Sequence, residues 1–423
     1  MPSTDSSHPR AAFRHRDFRL WLFGGLASVL GMQMQSVAIA WQVYDVTRRP
    51  IDLGFVGLAQ FVPAISLSLV AGQMADRFDR RAISRLCQLA QCVCSLLLFY
   101  EAQRGMRSIA PIYGILVLLG VARAFNAPAS QAFLPHLVPN EHFANAVTWS
   151  HSVRQVATVA GPAVGGLIYG AAWGAPGVYA VSGALSLFAF TMTTLIHART
   201  GRLQREATNL ETLLAGVRYV WRQKILLGCI SLDLFAVLLG GAVALLPVYA
   251  RDILHTGPLG LGFLRAAPAI GAAAMGPVLA YRPLRRKAGD RMLVAVGIFG
   301  VATIVFGVSR SFVLSFAALV IAGASDMVSV VIRLTLVQLS TPAAMRGRVA
   351  AVNMAFINAS NELGEFESGV TAALLGTVPA VLVGGAGTVA VVMLWAWLFP
   401  ELRKLEGLTG EASIPTPPEP GGV

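Results

Sequence analysis

Charged residues are scarce in this 423-residue chain: Asp, Glu, Lys and Arg together make up only 13%, whereas hydrophobic residues make up 55%. A soluble globular protein contains about 25% charged residues. The mean hydropathy is +0.65, and apolar runs recur at about 20 residues, the length with which a helix crosses a bilayer. The composition excludes an ordinary soluble domain and predicts an all-α, polytopic membrane protein.

Signatures of catalysis and of cofactor or metal binding are also missing. No phosphate-binding loop is present, which argues against an ATP-driven pump, and no nucleophile elbow is present either. The seven histidines lack metal-ligand spacing. The cysteines lie inside predicted spans, and their spacing does not suit a metal clip; they are Cys87, Cys92, Cys94 and Cys229. We therefore predict no enzyme activity, no cofactor and no metal site.

The net charge of +12 does not indicate a nucleic-acid partner, because no basic face with interleaved aromatic residues occurs. The basic residues lie instead in short loops between apolar runs. If the N-terminus is cytoplasmic, about 23 of the 33 Lys and Arg fall on the cytoplasmic side and about 6 on the outer side. This imbalance follows the positive-inside rule and predicts that both termini are cytoplasmic.

Twelve spans are predicted from the apolar runs. They lie near residues 20–44, 53–75, 82–100, 108–126, 143–170, 176–197, 225–249, 259–281, 291–309, 311–337, 348–377 and 378–398. The first run is too long for a signal peptide, so we expect it to remain as the first helix.

The spans divide into two sets of six around a polar central connection. The predicted segments are a cytoplasmic N-terminal segment (1–19), a first six-helix bundle (20–197), a linker (198–224), a second six-helix bundle (225–398) and a cytoplasmic tail (399–423). The linker contains apolar residues at helical spacing, which predicts an interfacial helix. The tail is rich in Pro and Gly and is predicted to be disordered.

The two halves resemble each other, since a basic loop follows the second helix of each and the fifth helix of each is rich in glycine. Repeats of this kind underlie many transporters, in which the substrate binds near the membrane midplane between the halves.

The stretch GQMADRFDRR, residues 72–81, resembles the loop between helices two and three of the major facilitator superfamily. The matching residues are Gly72, Asp76, Arg77, Arg80 and Arg81, and Arg123 matches the helix-four arginine of that family. The resemblance implies that these residues steady the inner gate, where a carboxylate is favoured beside a helix N-terminus. Asp79 stands where the family usually has Gly, so the turn geometry is open. The alternative is an ordinary positive-inside loop.

The stretch ATVAGPAVGGLIYG, residues 157–170, resembles the motif of exporters and antiporters in the same superfamily. Its characteristic residues are Gly161, Pro162, Gly165 and Gly166. The proline removes one backbone hydrogen bond and the glycines allow a neighbouring helix to come close, which predicts a hinge or a tight seam. The alternative is ordinary small-residue packing. This motif is the main evidence for export over import.

Residues 123–147 and 340–369 resemble the transmembrane secretion effector branch, which includes enterobactin exporters and macrolide efflux proteins. The resemblance implies a twelve-helix major facilitator fold in the bacterial inner membrane, working by alternating access and as a monomer. It further implies a hydrophobic or amphiphilic substrate, with siderophore export in exchange for protons as the leading case. The alternatives are broad macrolide-type efflux, import, and a membrane receptor that transports nothing.

The segment NMAFINASNELGEFESG, residues 353–369, places acids inside a predicted span. Asn358, Glu362 and Glu365 share one helix face, and Asn361 borders it. An ionised side chain at bilayer depth costs at least about 2.5–3.5 kcal/mol, so such residues face a cavity or a partner. A buried carboxyl group binds a proton more readily when a second carboxylate is near, which predicts proton coupling, with preference for Glu365. The alternative is an ion pair with an arginine of another helix.

Further polar residues within the spans are candidates for the transport pathway. Asp233 and Asp326 are either proton sites or halves of ion pairs. Arg333, near the inner end of its span, is either a functional embedded base or an arginine that reaches to the membrane interface. Arg154 and Arg265 are candidates for attracting an anionic substrate. The candidates for hydrogen bonds in the cavity are Gln33, Gln35 and Gln60.

Overall fold

The computed structural model describes residues 10–106, 108–198, 210–282, 287–342, 345–403 and 405. No β-strand occurs within these ranges, which confirms the predicted all-α class. The tail was predicted to be disordered over residues 399–423, but the structure has a short helix at Pro400–Arg403. Residues 404 and 406–423 of the tail lie outside the described residues, as do residues 1–9 of the N-terminal segment.

Long helices fill most of the described chain. In the first half (residues 10–198) they are α1 (Arg16–Thr47), α2 (Pro50–Ser66), α3 (Ser68–Arg77), α4 (Arg80–Gln103), α5 (Ala110–Phe133), α6 (Asn140–Ile168) and α7 (Gly174–Thr194). In the second half (residues 210–405) they are α8 (Leu210–Arg222), α9 (Lys224–Gly240), α10 (Leu246–Val248), α11 (Gly257–Tyr281), α12 (Ala288–Val308), α13 (Phe312–Leu339), α14 (Arg346–Leu375), α15 (Thr377–Leu398) and α16 (Pro400–Arg403). Short 3₁₀ turns lie at Ala11–Arg14, Leu134–His136 and Ala242–Leu245, and π-helical turns at Tyr169–Trp173 and Tyr249–Ile253.

Nine helical segments of the described chain are long and apolar enough to cross a membrane. The second, fifth and eleventh predicted spans correspond to α2 with α3, to α6 and to α14. The first of these is divided at Leu67. α6 carries two charged residues and α14 carries five. The charged residues that lower the hydropathy of α14 include the acids predicted to be functional. The count of twelve membrane spans stays a prediction.

The seventh predicted span differs from the structure because the helix is broken in its middle. α9 ends at Gly240, and Gly241 adopts a non-helical conformation before a short 3₁₀ turn. The break frees the carbonyl of Gly241, which accepts a hydrogen bond of 3.0 Å from the Ser368 hydroxyl of α14. Backbone freed inside a membrane must be satisfied by protein in this way. The Gly–Gly pair was the available signal for the break.

α8 corresponds to the amphipathic stretch of the predicted linker. Gly216 lies where α8 meets α14, so close that a β-carbon there would stand 2.9 Å from the Arg348 carbonyl oxygen. The Tyr219 hydroxyl donates a hydrogen bond of 3.1 Å to the Ser340 carbonyl. The helix is therefore anchored to the second half. Its location at a membrane interface stays a prediction.

The apolar core is arranged differently at the two ends of the molecule. We define the near side as the end where α1 begins and the far side as the end where α1 ends. A large cluster of buried residues joins both halves at the far side, including Val43, Leu98, Tyr249 and Phe306. Toward the near side, separate clusters form within the second half, around Leu226, and within the first half, around Phe133. The halves are thus packed together at the far side and diverge toward the near side.

Candidate transport cavity

A cavity of about 350 Å³ opens between the diverging halves. Its near-side rim is formed by the start of α1, the start of α4 and the end of α7, at Trp21, Ser84 and Thr193. Its deeper lining includes Glu365 of α14 and Arg265 of α11, which come from the second half. A cavity of this size falls in the range of small-molecule sites. The arrangement can therefore receive a small molecule from the near side.

The far side is closed by polar contacts between the halves. Asp45, at the end of α1, pairs with Arg251, and the Tyr44 hydroxyl donates a hydrogen bond to Asp252. Arg48 lies 3.9 Å from Asp252, measured between Nη1 and Oδ1. These oppositely charged groups hold the far ends of the two halves together. This cluster was not among the sequence predictions, although acids flanked by arginines lie at the predicted ends of two spans.

A second closure lies between α6 and α11 and contains the glycine motif predicted for exporters. A β-carbon at Gly166 would stand 2.6 Å from the Pro258 carbonyl oxygen, and one at Gly165 would stand 2.8 Å from Cα of Met34 in α1. A β-carbon at Gly161 would stand 2.5 Å from Cβ of Gln33. α6 is therefore in tight contact with α1 and α11 at once. The structure gives Pro162, Gly161, Gly165 and Gly166 the geometry of a tight seam, and their role as a hinge stays a prediction.

Replacing Gly262 of α11 by Ala should open this seam and reduce transport. The new β-carbon would stand 2.5 Å from the Pro162 carbonyl oxygen and 3.0 Å from Cα of Gly166, so two backbones must separate. Overpacking costs about 1–3 kcal/mol, which would reduce the population of the state closed at the far side by roughly 5- to 150-fold. The measurement is the alkylation rate of an engineered cysteine at Ala127, an exposed position in the cavity lining.

The control for this substitution is Gly297→Ala in α12, because no atom lies within 4 Å of the added β-carbon there. Equal alkylation and equal transport for the two variants would show that the close approach of α6 and α11 has no conformational consequence.

A third closure, between α2 and α14, lies directly beyond the predicted acids. A β-carbon at Gly369 would stand 3.0 Å from Cα of Gly54. One turn along α2 toward the near side, a β-carbon at Gly57 would stand 3.0 Å from Oε2 of Glu365 and 3.4 Å from Oε2 of Glu362. Both carboxylates thus approach the same point on α2. They lie at the closed end of the cavity, where the two halves meet.

Glu362 forms an ion pair with Arg123 that crosses between the halves. The distance from Arg123 Nη1 to Glu362 Oε1 is 3.0 Å, and the Glu362 side chain is 16% exposed. The pair joins α5 to α14 at mid-depth. Arg123 was grouped with the inner-gate loop by its resemblance to the family motif, but the structure places it beside Glu362 and in the cavity lining. Arg123 and Glu362 are 239 positions apart, and no local pattern along the chain indicates such a pairing.

Glu365 differs from Glu362 because it lines the cavity and has no hydrogen-bond or ion-pair partner among the described residues. Glu367 is not part of the described cavity lining, and its Oε1 accepts a hydrogen bond of 2.6 Å from the Thr371 hydroxyl of the same helix. The three acids of α14 therefore have three different surroundings.

Arg154 and Arg265 both line the cavity, as the sequence suggested. Within the part of the chain that the structure describes, neither guanidinium group has a hydrogen-bond or ion-pair partner. Arg265 also lies within electrostatic range of the Glu362 carboxylate. The cavity thus contains cationic groups from α5, α6 and α11.

Two further predicted acids lie apart from the cavity lining. Asp233 of α9 pairs with Arg333 of α13, and their side chains are only 5% and 3% exposed. This geometry fits the ion-pair alternative for Asp233 and places Arg333 in the protein interior. Asp326 of α13 is partly buried and has no hydrogen-bond partner among the described residues.

The predicted neutral polar residues divide between the cavity and its surroundings. Gln60 lines the cavity, and so does Gln35, which accepts a hydrogen bond of 2.7 Å from the Ser95 hydroxyl. Gln33, Asn358 and Asn361 are not among the described lining residues; the Asn361 amide donates to the Ile357 carbonyl of its own helix. Sequence reasoning missed other amides of the lining, although two of them have helical spacing on α4: they are Gln88, Gln91, Asn126 and Gln131.

The loop between α3 and α4 is held at the near side by its arginines. Arg80 is buried and donates hydrogen bonds of 3.2 Å to the Ala75 and Ala132 carbonyls. Arg81 donates to the carbonyls of residues 193 and 194 at the end of α7. Asp79 caps α4 by accepting a 3.0 Å bond from the Arg81 amide.

The Asp79 backbone has φ of −61°, so the turn does not require the glycine that the family usually has there. Arg77 is exposed, and a β-carbon at Gly72 would have open space around it. The Asp76 side chain lies outside the described residues. The inner-gate role of this motif stays a prediction.

Comparison with known families gives a match over nearly the whole chain. The profile of the family described as transmembrane secretion effector matches residues 7–420. The enterobactin exporter EntS of Citrobacter koseri is 25% identical over 398 residues, covering 92% of this chain and 93% of that protein. The uncharacterized MFS-type transporter YkuC of Bacillus subtilis is 24% identical over 255 residues, covering 56% of this chain and 57% of that protein.

Solved structures show the same fold at low sequence identity. A bacterial homologue of the human lysosomal transporter Spinster, in an inward-facing and occupied conformation, has a TM-score of 0.73 at 13% identity, covering 94% of this chain and 99% of that one. The D-xylose–proton symporter has a TM-score of 0.70 at 12% identity, covering 91% and 97%. The fold described above is that of major facilitator transporters.

Proposed function

The chain belongs to the transmembrane secretion effector family of major facilitator transporters, and from this membership we propose that it exports an amphiphilic small molecule in exchange for protons. Membership makes it a multi-pass membrane transporter of small molecules and not an enzyme. The observation that carries the proposal is the cavity between the halves, which is open at the near side, closed at the far side and lined at its closed end by Glu365.

The near side is assigned to the cytoplasm. The distribution of Lys and Arg supports this orientation, since the loop from Arg77 to Arg81 and the start of α1 lie at the near side. In a bacterium the corresponding membrane is the inner membrane, with both termini cytoplasmic. The structure would then represent the inward-facing state, in which an exporter takes up its cargo.

Transport occurs when the closed far side of the cavity opens and the open near side closes. When the far-side contacts around Asp45 and Arg251 separate and the near-side ends of the halves approach each other, the cavity faces the outside. The seams of α6 with α11 and of α2 with α14 connect the halves and allow one to rock against the other. The two six-helix bundles predicted at 20–197 and 225–398 are the two rigid bodies of this motion. One chain contains both bundles, so a monomer can carry out the motion.

Proton coupling is assigned to Glu362 and Glu365 acting together. Both carboxylates approach the same point on α2, so a proton bound by one of them changes the charge that the other faces. An ion pair requires Glu362 to be ionised, so the inward-facing state is the one from which the proton has left. Protonation from the outside would release Arg123 and weaken this contact between the halves.

The substrate class is inferred from the relatives and the lining. The relatives named as enterobactin exporters support export of a siderophore-like compound, and the apolar and amide residues of the lining suit an amphiphilic molecule. A macrolide-type efflux activity is the second candidate, because the branch to which the chain was likened contains both kinds of exporter. An importer would show inward flux, and a receptor would show none.

The experiment that tests this function uses everted membrane vesicles whose lumen has been acidified by respiration. Addition of a catecholate siderophore, and separately of a macrolide, is followed with a fluorescent probe of luminal pH. Proton release from the lumen on addition of one compound, absent from vesicles without the protein, is the expected result and identifies the substrate class. A response to neither compound contradicts the proposed exchange for both candidates, and substrate flux without proton release contradicts coupling.

A further inference from the structure

The cavity carries an excess of positive charge from the described residues that line it. Arg123, Arg154 and Arg265 belong to the lining, whereas Glu365 is the acid found among the same residues. Glu362 neutralises Arg123 through their 3.0 Å ion pair. Two guanidinium groups then remain against one carboxylate, and protonation of Glu365 would raise the excess further.

The guanidinium groups of Arg154 and Arg265 do not make the stabilising contacts that other arginines of the fold make. Arg80 and Arg81 bind backbone carbonyls, and Arg333 is paired with Asp233. Arg154 and Arg265 have no such partner among the described residues, although both lie in a cleft between helices. A guanidinium group offers a fixed fork of donors that matches a carboxylate or a similar planar anion.

The rest of the lining defines the remainder of the ligand. α1 presents an apolar surface to the cavity that includes Leu26, Val29 and Met32. Amide side chains of α4 and α5, such as Gln91 and Gln131, provide donors and acceptors for hydroxyl groups. An apolar body with an anionic group and several hydroxyls would satisfy all three surfaces.

From this lining we infer that the transported substrate is an amphiphilic organic anion whose negative group binds to Arg154 and Arg265. The inference rests on the proposed transport function and specifies its substrate class. It separates the two candidate substrates, because a cationic amine such as a macrolide would face a cavity lining with an excess of positive charge. The same chemistry is offered by soluble organic acids and by anionic lipid headgroups, which the experiment distinguishes.

The test is a binding measurement that needs no proton gradient. The full chain is placed in nanodiscs of phosphatidylcholine and titrated by calorimetry with 2-naphthoate and with its neutral amide, 2-naphthamide. These probes share one ring system and differ in charge. Because hydrogen bonds between a guanidinium group and an ionised acid are stronger than those to a neutral amide, we expect the acid to bind at least about tenfold more tightly than the amide.

Arg154→Gln and Arg265→Gln should each lower the affinity for the acid about tenfold and leave the affinity for the amide unchanged. Unchanged binding of the amide shows that the cavity is intact in the variants. Arg310→Gln, at an exposed arginine on the far side, is the matched control and should alter neither affinity. Equal affinities for acid and amide, detectable binding of neither, or insensitivity of acid binding to both substitutions would overturn the inference.

A second titration in nanodiscs containing phosphatidylglycerol distinguishes the sources of the anion. If phosphatidylglycerol abolishes the part of 2-naphthoate binding that depends on Arg154 and Arg265, the site is assigned to a lipid headgroup. If that binding is unchanged, the site is assigned to a soluble anion. Either outcome retains the anionic class. If binding selects the acid but the vesicles show no proton-driven flux, the proposed exchange is wrong and the substrate class stands. If the vesicles show proton-driven flux but binding does not select the acid, the substrate class is wrong and the exchange stands.

Discussion

Glu362→Gln should abolish substrate-induced proton release from everted vesicles, to the level of vesicles that lack the protein. The glutamine cannot carry a proton and cannot form the ion pair with Arg123 that joins α5 to α14. Glu365→Gln should have the same effect on proton release, since the two carboxylates meet at one point on α2. The measurement is the rate of luminal alkalinisation after addition of the substrate.

Glu367→Gln provides the control on the same helix. Glu367 accepts a hydrogen bond from Thr371 within its own helix, and an amide oxygen accepts that bond equally well. Proton release should therefore remain at the wild-type rate. If Glu362→Gln and Glu365→Gln both retained wild-type proton release, the acids of α14 would be structural and the coupling site would have to be sought at Asp233 or Asp326.

Asp233→Asn should produce the largest loss of stability among single substitutions of the predicted acids, about 3–5 kcal/mol. The substitution leaves the Arg333 guanidinium charged and almost completely buried, at 3% exposure of its side chain. Its Nε atom already lacks a hydrogen-bond partner among the described residues, so the lost contact is not replaced. The measurement is the unfolding midpoint of the purified protein in detergent, read by size-exclusion chromatography after heating.

Two comparisons make this result specific to a buried charge. Asp233→Leu combined with Arg333→Met removes both charges and should be less destabilising than Asp233→Asn, because no ion is left unpaired. Asp290→Asn removes an exposed acid that lies 3.9 Å from Arg403 and should change stability by less than about 0.5 kcal/mol. A stable Asp233→Asn protein that had lost proton release would reassign Asp233 from the fold to the coupling site.

Helix positions and the placement of acids were accessible from sequence for a simple reason. Apolar periodicity and length are local properties, and a bilayer demands both of every span. The acids of α14 were recognised because charge is costly at membrane depth. The break after α9 was missed because the pair Gly240 and Gly241 was included in a continuous apolar run and not interpreted as an interruption of the helix.

Pairings between distant residues were not accessible in the same way. The alternatives for Asp233, a proton site or half of an ion pair, could not be separated until Arg333 was placed beside it. Arg123 was grouped with the loop that precedes it along the chain, although its partner is Glu362 on the opposite half. Helical spacing fixes which residues share a face of one helix, but it does not fix which helix that face meets.

The sequence by itself determined that this protein is an all-α, multi-pass membrane protein of the major facilitator kind, because composition, apolar run length and short motifs suffice for those conclusions. Only the tertiary structure decided that Glu362 binds Arg123, that Glu365 faces the cavity, and that the cavity is open at one side and closed by Asp45 and Arg251 at the other. These features arise from the approach of helices separated by hundreds of residues, which depends on packing between their surfaces and leaves no local pattern in the chain.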